Sequence, residues 1–77
     1  MIPTISYSAF EDSYKFIFRN NPALRYGQSI MTGLSIAWPS KYTEITGTDL
    51  DCYYNDDKSK PLLSYLENNW IQNETDR

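Results

Sequence analysis

The 77-residue sequence has no histidine and a single cysteine, and these two gaps remove much of ordinary enzyme chemistry. Histidine is the commonest metal ligand and the side chain most readily poised as a general base near neutral pH. Without it, no Ser-His or Cys-His nucleophilic pair can be assembled. Cys52 cannot close an intramolecular disulfide, which fits a reducing compartment. No catalytic partner for it is evident, so it reads as a buried structural thiol. The three glycines stand apart at positions 27, 33 and 47, so there is no glycine-rich loop to cradle a phosphate. No apolar run approaches the roughly 20 residues needed to span a bilayer. The N-terminal stretch MIPTISYSAFEDSYK lacks a basic region followed by an apolar one, so no secretory signal is read. A cytoplasmic protein without membrane contact, whole from Met1 and not an enzyme, is the expectation. No cofactor and no metal are expected.

Basic residues are also few. Lys15, Arg19, Arg25, Lys41, Lys58, Lys60 and Arg77 are spread thinly against ten acids, giving a formal charge of −3. Phosphate neutralisation needs clustered Lys and Arg, so direct nucleic-acid binding is not expected. The length allows a single domain over 1–77 that buries only roughly 60% of its unfolded surface, a small margin of stability. Aromatics compensate: they make up 16% of the chain, with seven tyrosines. Each buries a large area, and tyrosine keeps a polar tip suited to interfaces.

Helical periodicity organises most of the chain. Ser8 and Glu11 have capping-box spacing, and Phe10, Tyr14, Ile17 and Phe18 share one face, predicting a helix over about 9–19. Phe16 lies off that face and is expected to be exposed. Asn21 as cap and Pro22 as first residue predict a second helix over 22–36, with Ala23, Gly27, Ile30, Met31 and Leu34 inward. A glycine on that face marks a close crossing at Gly27. Pro39 ends the helix at or before Trp38. Ser40 would cap a third helix over 39–46 with Tyr42 and Ile45 inward, stopped by Gly47. Asp56 or Asp57 would cap a last helix presenting Leu62, Leu63, Leu66 and Trp70, with Pro61 in its first turn. Residues 1–7 read as a flexible arm or a short strand, and 72–77 as a frayed tail. The fold class expected is all-α, a small bundle of three to four short helices with an ordered acidic loop. The alternative is a small α+β fold in which residues 1–7 pair with part of 48–55.

The segment 48–57 is the one stretch with neither helical nor strand period. Asp49 and Asp51 have the spacing of the first two ligands of a calcium loop, but Tyr54 and Lys60 stand where glycine and glutamate belong. The plain reading is a solvated connector and a helix cap. The functional reading is a contact surface for a basic protein partner, formed by Asp49, Asp51, Tyr53, Tyr54, Asp56 and Asp57, with Phe16 as a further exposed aromatic. At the start of the second helix, Arg25 can pair with a loop carboxylate and Gln28 can bond loop backbone.

The features N-P-x-x-R-Y-G-Q-S-I-M, then W-P, then I-T-G-T-D-L-D-C-Y-Y-N-D-D-K, then L-x-x-L-x-x-x-W follow one another over roughly 20–70. In this order the chain resembles a group of small uncharacterised proteins of bacteriophages and prophage-bearing bacteria. Those proteins share an R-[YF]-G-Q helix start and a later D-x-[FY]-Y-x-[DE]-D-x-K segment. The group brings no activity and no catalytic residues. It implies a phage origin, and small acidic phage proteins often bind and block host machinery such as CRISPR or restriction complexes. The expected function is therefore inhibition or modulation of a host complex by protein–protein binding. A structural homo-oligomer, using Phe16, Tyr53 or Trp70, is the alternative.

Overall fold

The computed structural model describes residues 3–70 and is all-helical there. Four α-helices follow one another: α1 (Tyr7–Asn20), α2 (Tyr26–Ala37), α3 (Pro39–Ile45) and α4 (Ser59–Asn69), the last entered through a 3-10 turn, Asp56–Lys58. No strand occurs among the described residues, so the expected α+β pairing with 48–55 does not form over residues 3–7.

The helix ends differ from the spacing-based expectation, each for a local reason. The cap of α1 is Ser6, not Ser8: its hydroxyl accepts from the Ala9 N–H at 3.1 Å. Starting two residues early puts Tyr7 in the first turn. There its ring packs on Phe10 and Trp70, and its hydroxyl donates to the Leu63 carbonyl at 3.3 Å. Burying part of an aromatic ring outweighs a capping box worth about 1 kcal/mol. Likewise α2 does not start at Pro22. The side-chain amides of Asn20 and Asn21 donate to the Phe16 and Ile17 carbonyls at 2.9 and 2.8 Å. Both asparagines thus satisfy the orphan carbonyls ending α1 rather than the amides opening α2. Residues 21–24 form a turn, closed by the Leu24 N–H on the Asn21 carbonyl, and Ala23 is exposed. Gln28 supplies the local cap of α2 by accepting from the Arg25 N–H at 3.1 Å. It therefore bonds its own helix start, not the loop.

Pro39 does what its stereochemistry demands. Trp38 adopts φ −151° and ψ 74°, ending α2 and serving as the N-cap of α3, while Pro39 rather than Ser40 opens α3. A single residue thus turns the corner. Gly47, at φ 83°, takes the left-handed conformation that stops the chain after α3. Neither Asp56 nor Asp57 caps the last helix: Asn55 caps the 3-10 turn that leads into it, its side-chain Oδ1 accepting from the Asp57 N–H at 3.0 Å, and α4 follows Lys58 with no side-chain cap. Pro61 falls in the first turn of α4 as expected.

The core is Phe10, Tyr14, Ile30, Met31, Leu34, Ala37, Trp38, Ile45, Cys52, Leu62 and Leu66. Fully burying a side chain of this kind contributes about 1.5–3 kcal/mol. Helices α1 and α2 cross at Gly33, where a Cβ would lie 3.1 Å from Tyr14 Cβ. Aromatic rings form a continuous row through the bundle. Trp38 meets Trp70 edge-on at 5.1 Å, Trp70 stacks on Phe10 at 4.9 Å, and Phe10 meets Tyr14 at 5.1 Å. Tyr14 then meets Tyr26 at 5.9 Å, and Tyr26 meets Phe18 at 5.5 Å. Phe18, expected inward, is the open end of this row and is 43% exposed.

Residues 3–6 are tied down, neither a strand nor a free arm. Pro3 is buried, the Thr4 N–H donates to the Ala37 carbonyl at 2.7 Å, and the Trp70 indole Nε1 donates to the Ile5 carbonyl at 2.8 Å. Trp70 is therefore a core staple joining both ends of the described chain, not an exposed oligomer contact. The expected frayed tail, 72–77, lies outside the described residues, as do positions 1 and 2 of the expected arm. Among the described residues no helix is long and apolar enough to cross a membrane.

Candidate functional site

The segment between α3 and α4 has no repeating structure, yet nearly every backbone turn in it is bonded. The Thr48 N–H donates to the Ile45 carbonyl, Asp51 to Thr48, Asn55 to Cys52, and Lys58 to Asn55. Asp51 adds two side-chain clamps. Its Oδ2 accepts from the Gly47 N–H at 2.8 Å and its Oδ1 from the Tyr53 N–H at 2.9 Å. Hydrogen bonds from backbone amides to a carboxylate are among the stronger ones. They hold the turn that aims Tyr53 and Tyr54.

The loop is anchored to the bundle at Cys52, which is fully buried beneath it. The Cys52 thiol donates to the Gly27 carbonyl at 3.5 Å. The Cys52 carbonyl lies so close to Gly27 that an added Cβ would come within 2.0 Å of its oxygen. The close crossing expected at Gly27 is therefore helix against loop backbone; the helix–helix approach is at Gly33. Burial pushes the Cys52 thiol pKa up and the charges of Asp51 and Asp56 add to this, while the Ser59 hydroxyl opposes it. A thiol kept protonated in this way is no nucleophile. Ser59 Oγ is itself buried and faces this weak acceptor without a partner of full hydrogen-bond geometry.

Asp56 is the second anchor. Its Oδ1 accepts from the Gly27 N–H at 2.9 Å, capping the start of α2 from 29 residues away. A carboxylate there also meets the positive end of the helix dipole. The expected pairing of Arg25 with a loop carboxylate is present: its Nε lies 3.8 Å from Asp56 Oδ2. Both side chains are well exposed, so this ion pair adds little beyond the amide contact.

The residues singled out from sequence therefore divide. Asp51 and Asp56 spend carboxylate oxygens on backbone amides and hold the loop. Asp49 and Asp57 are exposed. Tyr53 is half-buried against the core, while Tyr54 is 82% exposed, its ring meeting that of Tyr53 at 4.8 Å and 69°. Phe16 is 63% exposed on the outer side of α1 and lines neither depression beside the loop.

Two surface depressions flank the loop. One, of about 220 Å³, is lined by Met31, Tyr42, Thr46, Asp51, Tyr53 and Tyr54. The other, of about 330 Å³, is lined by Glu44, Ile45, Thr48, Asp49, Leu50 and Tyr65. At the second, Lys41 donates to Glu44 at 3.1 Å and to the Tyr65 hydroxyl at 3.2 Å, and its Nζ lies 5.0 Å from the centre of the Trp38 ring. Burial works to lower the Lys41 pKa, but the Tyr65 and Glu44 contacts outweigh it, and the net shift is upward. Sequence reasoning missed both depressions. Their walls come from α2, α3, α4 and the loop, and only the i, i+3 spacing of Trp38–Lys41 and Lys41–Glu44 hinted at either. Among the described residues no group of three or more His, Cys, Asp or Glu is placed to hold a metal ion.

Comparison of the chain with protein-family models, with curated proteins and with solved structures gave no match in any of the three.

Proposed function

We propose that this protein is a binding module that engages a protein partner through the tyrosine-bearing loop, and that it has no catalytic role. The observation that carries this reading is Tyr54: a large aromatic, 82% exposed, on a loop whose backbone is fixed by Asp51, Cys52 and Asp56. An exposed aromatic on a preorganised backbone loses little freedom on binding, and tyrosine is enriched among the residues that dominate interfaces. The end of α3 and the same loop also carry the exposed acids Glu44, Asp49 and Asp57, which suits a partner with a basic surface. In the phage setting that the resemblance implies, the partner is a host complex such as a CRISPR or restriction system, blocked or modulated by occupancy, with no nucleic acid bound directly.

The test is affinity capture from host lysate with three baits: wild type, Asp49→Lys/Tyr54→Ala and Phe16→Ala. Support is a defined partner retained by wild type and Phe16→Ala and lost by the loop variant, with the helical circular-dichroism spectrum unchanged. A partner retained equally by all three contradicts the loop as the contact surface. Asp51 and Asp56 are left intact because their carboxylates hold the loop. The homo-oligomer alternative rests on the exposure of Phe16 and Ile36, each 63%. Light scattering tests it: a monomer at high concentration removes it.

A further inference from the structure

The smaller depression has a specific composition. Its described walls are Tyr42, Tyr53, Tyr54, Asp51, Thr46 and the core residue Met31. Tyr53 and Tyr54 stand close to perpendicular, at 69°, so two ring faces and edges border one space. The faces of aromatic rings carry negative potential and attract cations. An ionised carboxylate has about four lone-pair sites. The Gly47 and Tyr53 amides take one on each oxygen of Asp51, so acceptor capacity remains on both. None of the described lining residues is lysine or arginine.

The same fold shows how such a set of groups is used. Across the loop, Lys41 sits with its Nζ 5.0 Å from the Trp38 ring centre and 5.5 Å from that of Tyr65, bonded to the Glu44 carboxylate. There the rings and the carboxylate are matched by a cation of the chain itself. On the other side, three tyrosines and Asp51 present the same chemistry with no lysine or arginine among the described lining residues.

We infer that the Tyr42–Tyr53–Tyr54–Asp51 pocket receives an arginine side chain of the partner protein, its guanidinium against the tyrosine rings and bonded to Asp51. Guanidinium is favoured over ammonium because it is planar, stacks on aromatic faces, offers a fork of donors and is more weakly hydrated. The volume of about 220 Å³ suits a single side chain rather than a drug-sized molecule. The tyrosine residues lining the pocket give the methylene stem an apolar surface. This inference rests on the proposed protein-binding role and names the chemistry that the loop recognises.

The experiment titrates the labelled full chain with N-acetyl-arginine amide and follows backbone and tyrosine resonances. N-acetyl-citrulline amide, the neutral isostere, and N-acetyl-lysine amide are run in parallel. The arginine probe is expected to move resonances of Tyr42, Tyr53, Tyr54 and Asp51 along one saturable curve, with citrulline at least tenfold weaker and lysine weaker than arginine. Tyr54→Ala is expected to weaken the arginine probe two- to fivefold, the scale of one partly exposed ring–cation contact. Asp51→Asn keeps an acceptor oxygen for one of the two amides and is expected to weaken it further. Where Asp51→Asn loosens the loop in its own spectrum, Tyr54→Ala decides alone. Citrulline binding as tightly as arginine, lysine binding as tightly as arginine, or shifts mapping away from these residues would overturn the inference. The two proposals fail separately. Partner capture lost with the loop variant but no arginine response leaves the binding role standing and removes the pocket; an arginine response without any partner does the reverse.

Discussion

Replacing Gly27 with alanine sets helix propensity against packing, and the structure decides which wins. In an isolated helix the change stabilises by about 1 kcal/mol. Here the new methyl would lie 2.0 Å from the Cys52 carbonyl oxygen and 3.0 Å from Asp56 Oδ1. A backbone oxygen cannot rotate aside, so the loop at Cys52 has to move by more than an ångström. That movement strains a packed site, at about 1–3 kcal/mol, and weakens the Gly27–Asp56 bond, of the charged kind worth about 1.5–3 kcal/mol. Net of the propensity gain, Gly27→Ala is expected to destabilise by about 2–4 kcal/mol. For a domain of this size that lowers Tm by roughly 10–25 °C. Thermal and urea unfolding followed by circular dichroism measure it. Gly33→Ala is the internal comparison: its methyl would meet Tyr14 Cβ at 3.1 Å, which α1 relieves by shifting a few tenths of an ångström, and the change is expected to stay within about 1 kcal/mol of wild type. A Gly27→Ala protein as stable as wild type would refute the helix-against-loop crossing.

Three further changes probe other parts of the structure. Trp70→Ala removes the ring stacked on Phe10 and the indole bond to Ile5, so a loss of about 3–5 kcal/mol in urea unfolding is expected; Trp70→Phe keeps much of the ring, and about 1–2 kcal/mol is expected. Ser59→Ala deletes a buried hydroxyl lacking a good partner and is expected to stabilise by about 1 kcal/mol; a loss of stability would show that the hydroxyl is satisfied. Burial and the charges of Glu11 and Glu67 push the Tyr7 pKa up to about 12, and burial and the Tyr26 hydroxyl push Tyr14 up as well. The neutral phenols are favoured in the folded state, so this contribution is complete below the ordinary value of 10.0 and is lost as pH rises toward 12. Tyrosinate absorbance is expected to show a late-ionising fraction, with the urea midpoint falling over the same range; a single transition for all tyrosines near 10 would contradict it.

Much of the helical skeleton was legible because periodicity and proline act locally. The Phe10–Tyr14 face, the Ile30–Met31–Leu34 face and the corner at Trp38–Pro39 follow from spacing and from the backbone restriction that proline imposes. Helix starts were less legible because capping groups are interchangeable in sequence. Ser6 and Ser8 are both competent caps, and only the packing of Tyr7 against Phe10 and Trp70 selects Ser6. Asn21 can serve the helix before it or after it, and the orphan carbonyls of α1 take it. The loop was identified as ordered, acidic and tyrosine-bearing, and Cys52 as buried. Which acids hold the loop was not readable, because Asp56 acts on an amide 29 residues away and Asp51 differs from Asp49 only in where its oxygens point. The tyrosine–aspartate pocket has walls from three separated segments and no local signature.

A loop that presents Tyr54 on a fixed backbone is central to the whole account, and amide hydrogen exchange tests it most directly. Gly47 and Tyr53 donate to Asp51, and Gly27 donates to Asp56, so these three amides owe protection to loop carboxylates. The expected result is that all three exchange well below the rates of an open peptide, and that Asp51→Ala releases Gly47 and Tyr53 while helix amides in α1 and α4 stay protected. Exchange of Gly47 and Tyr53 at open-peptide rates in the wild-type protein, with the helices protected, would contradict it.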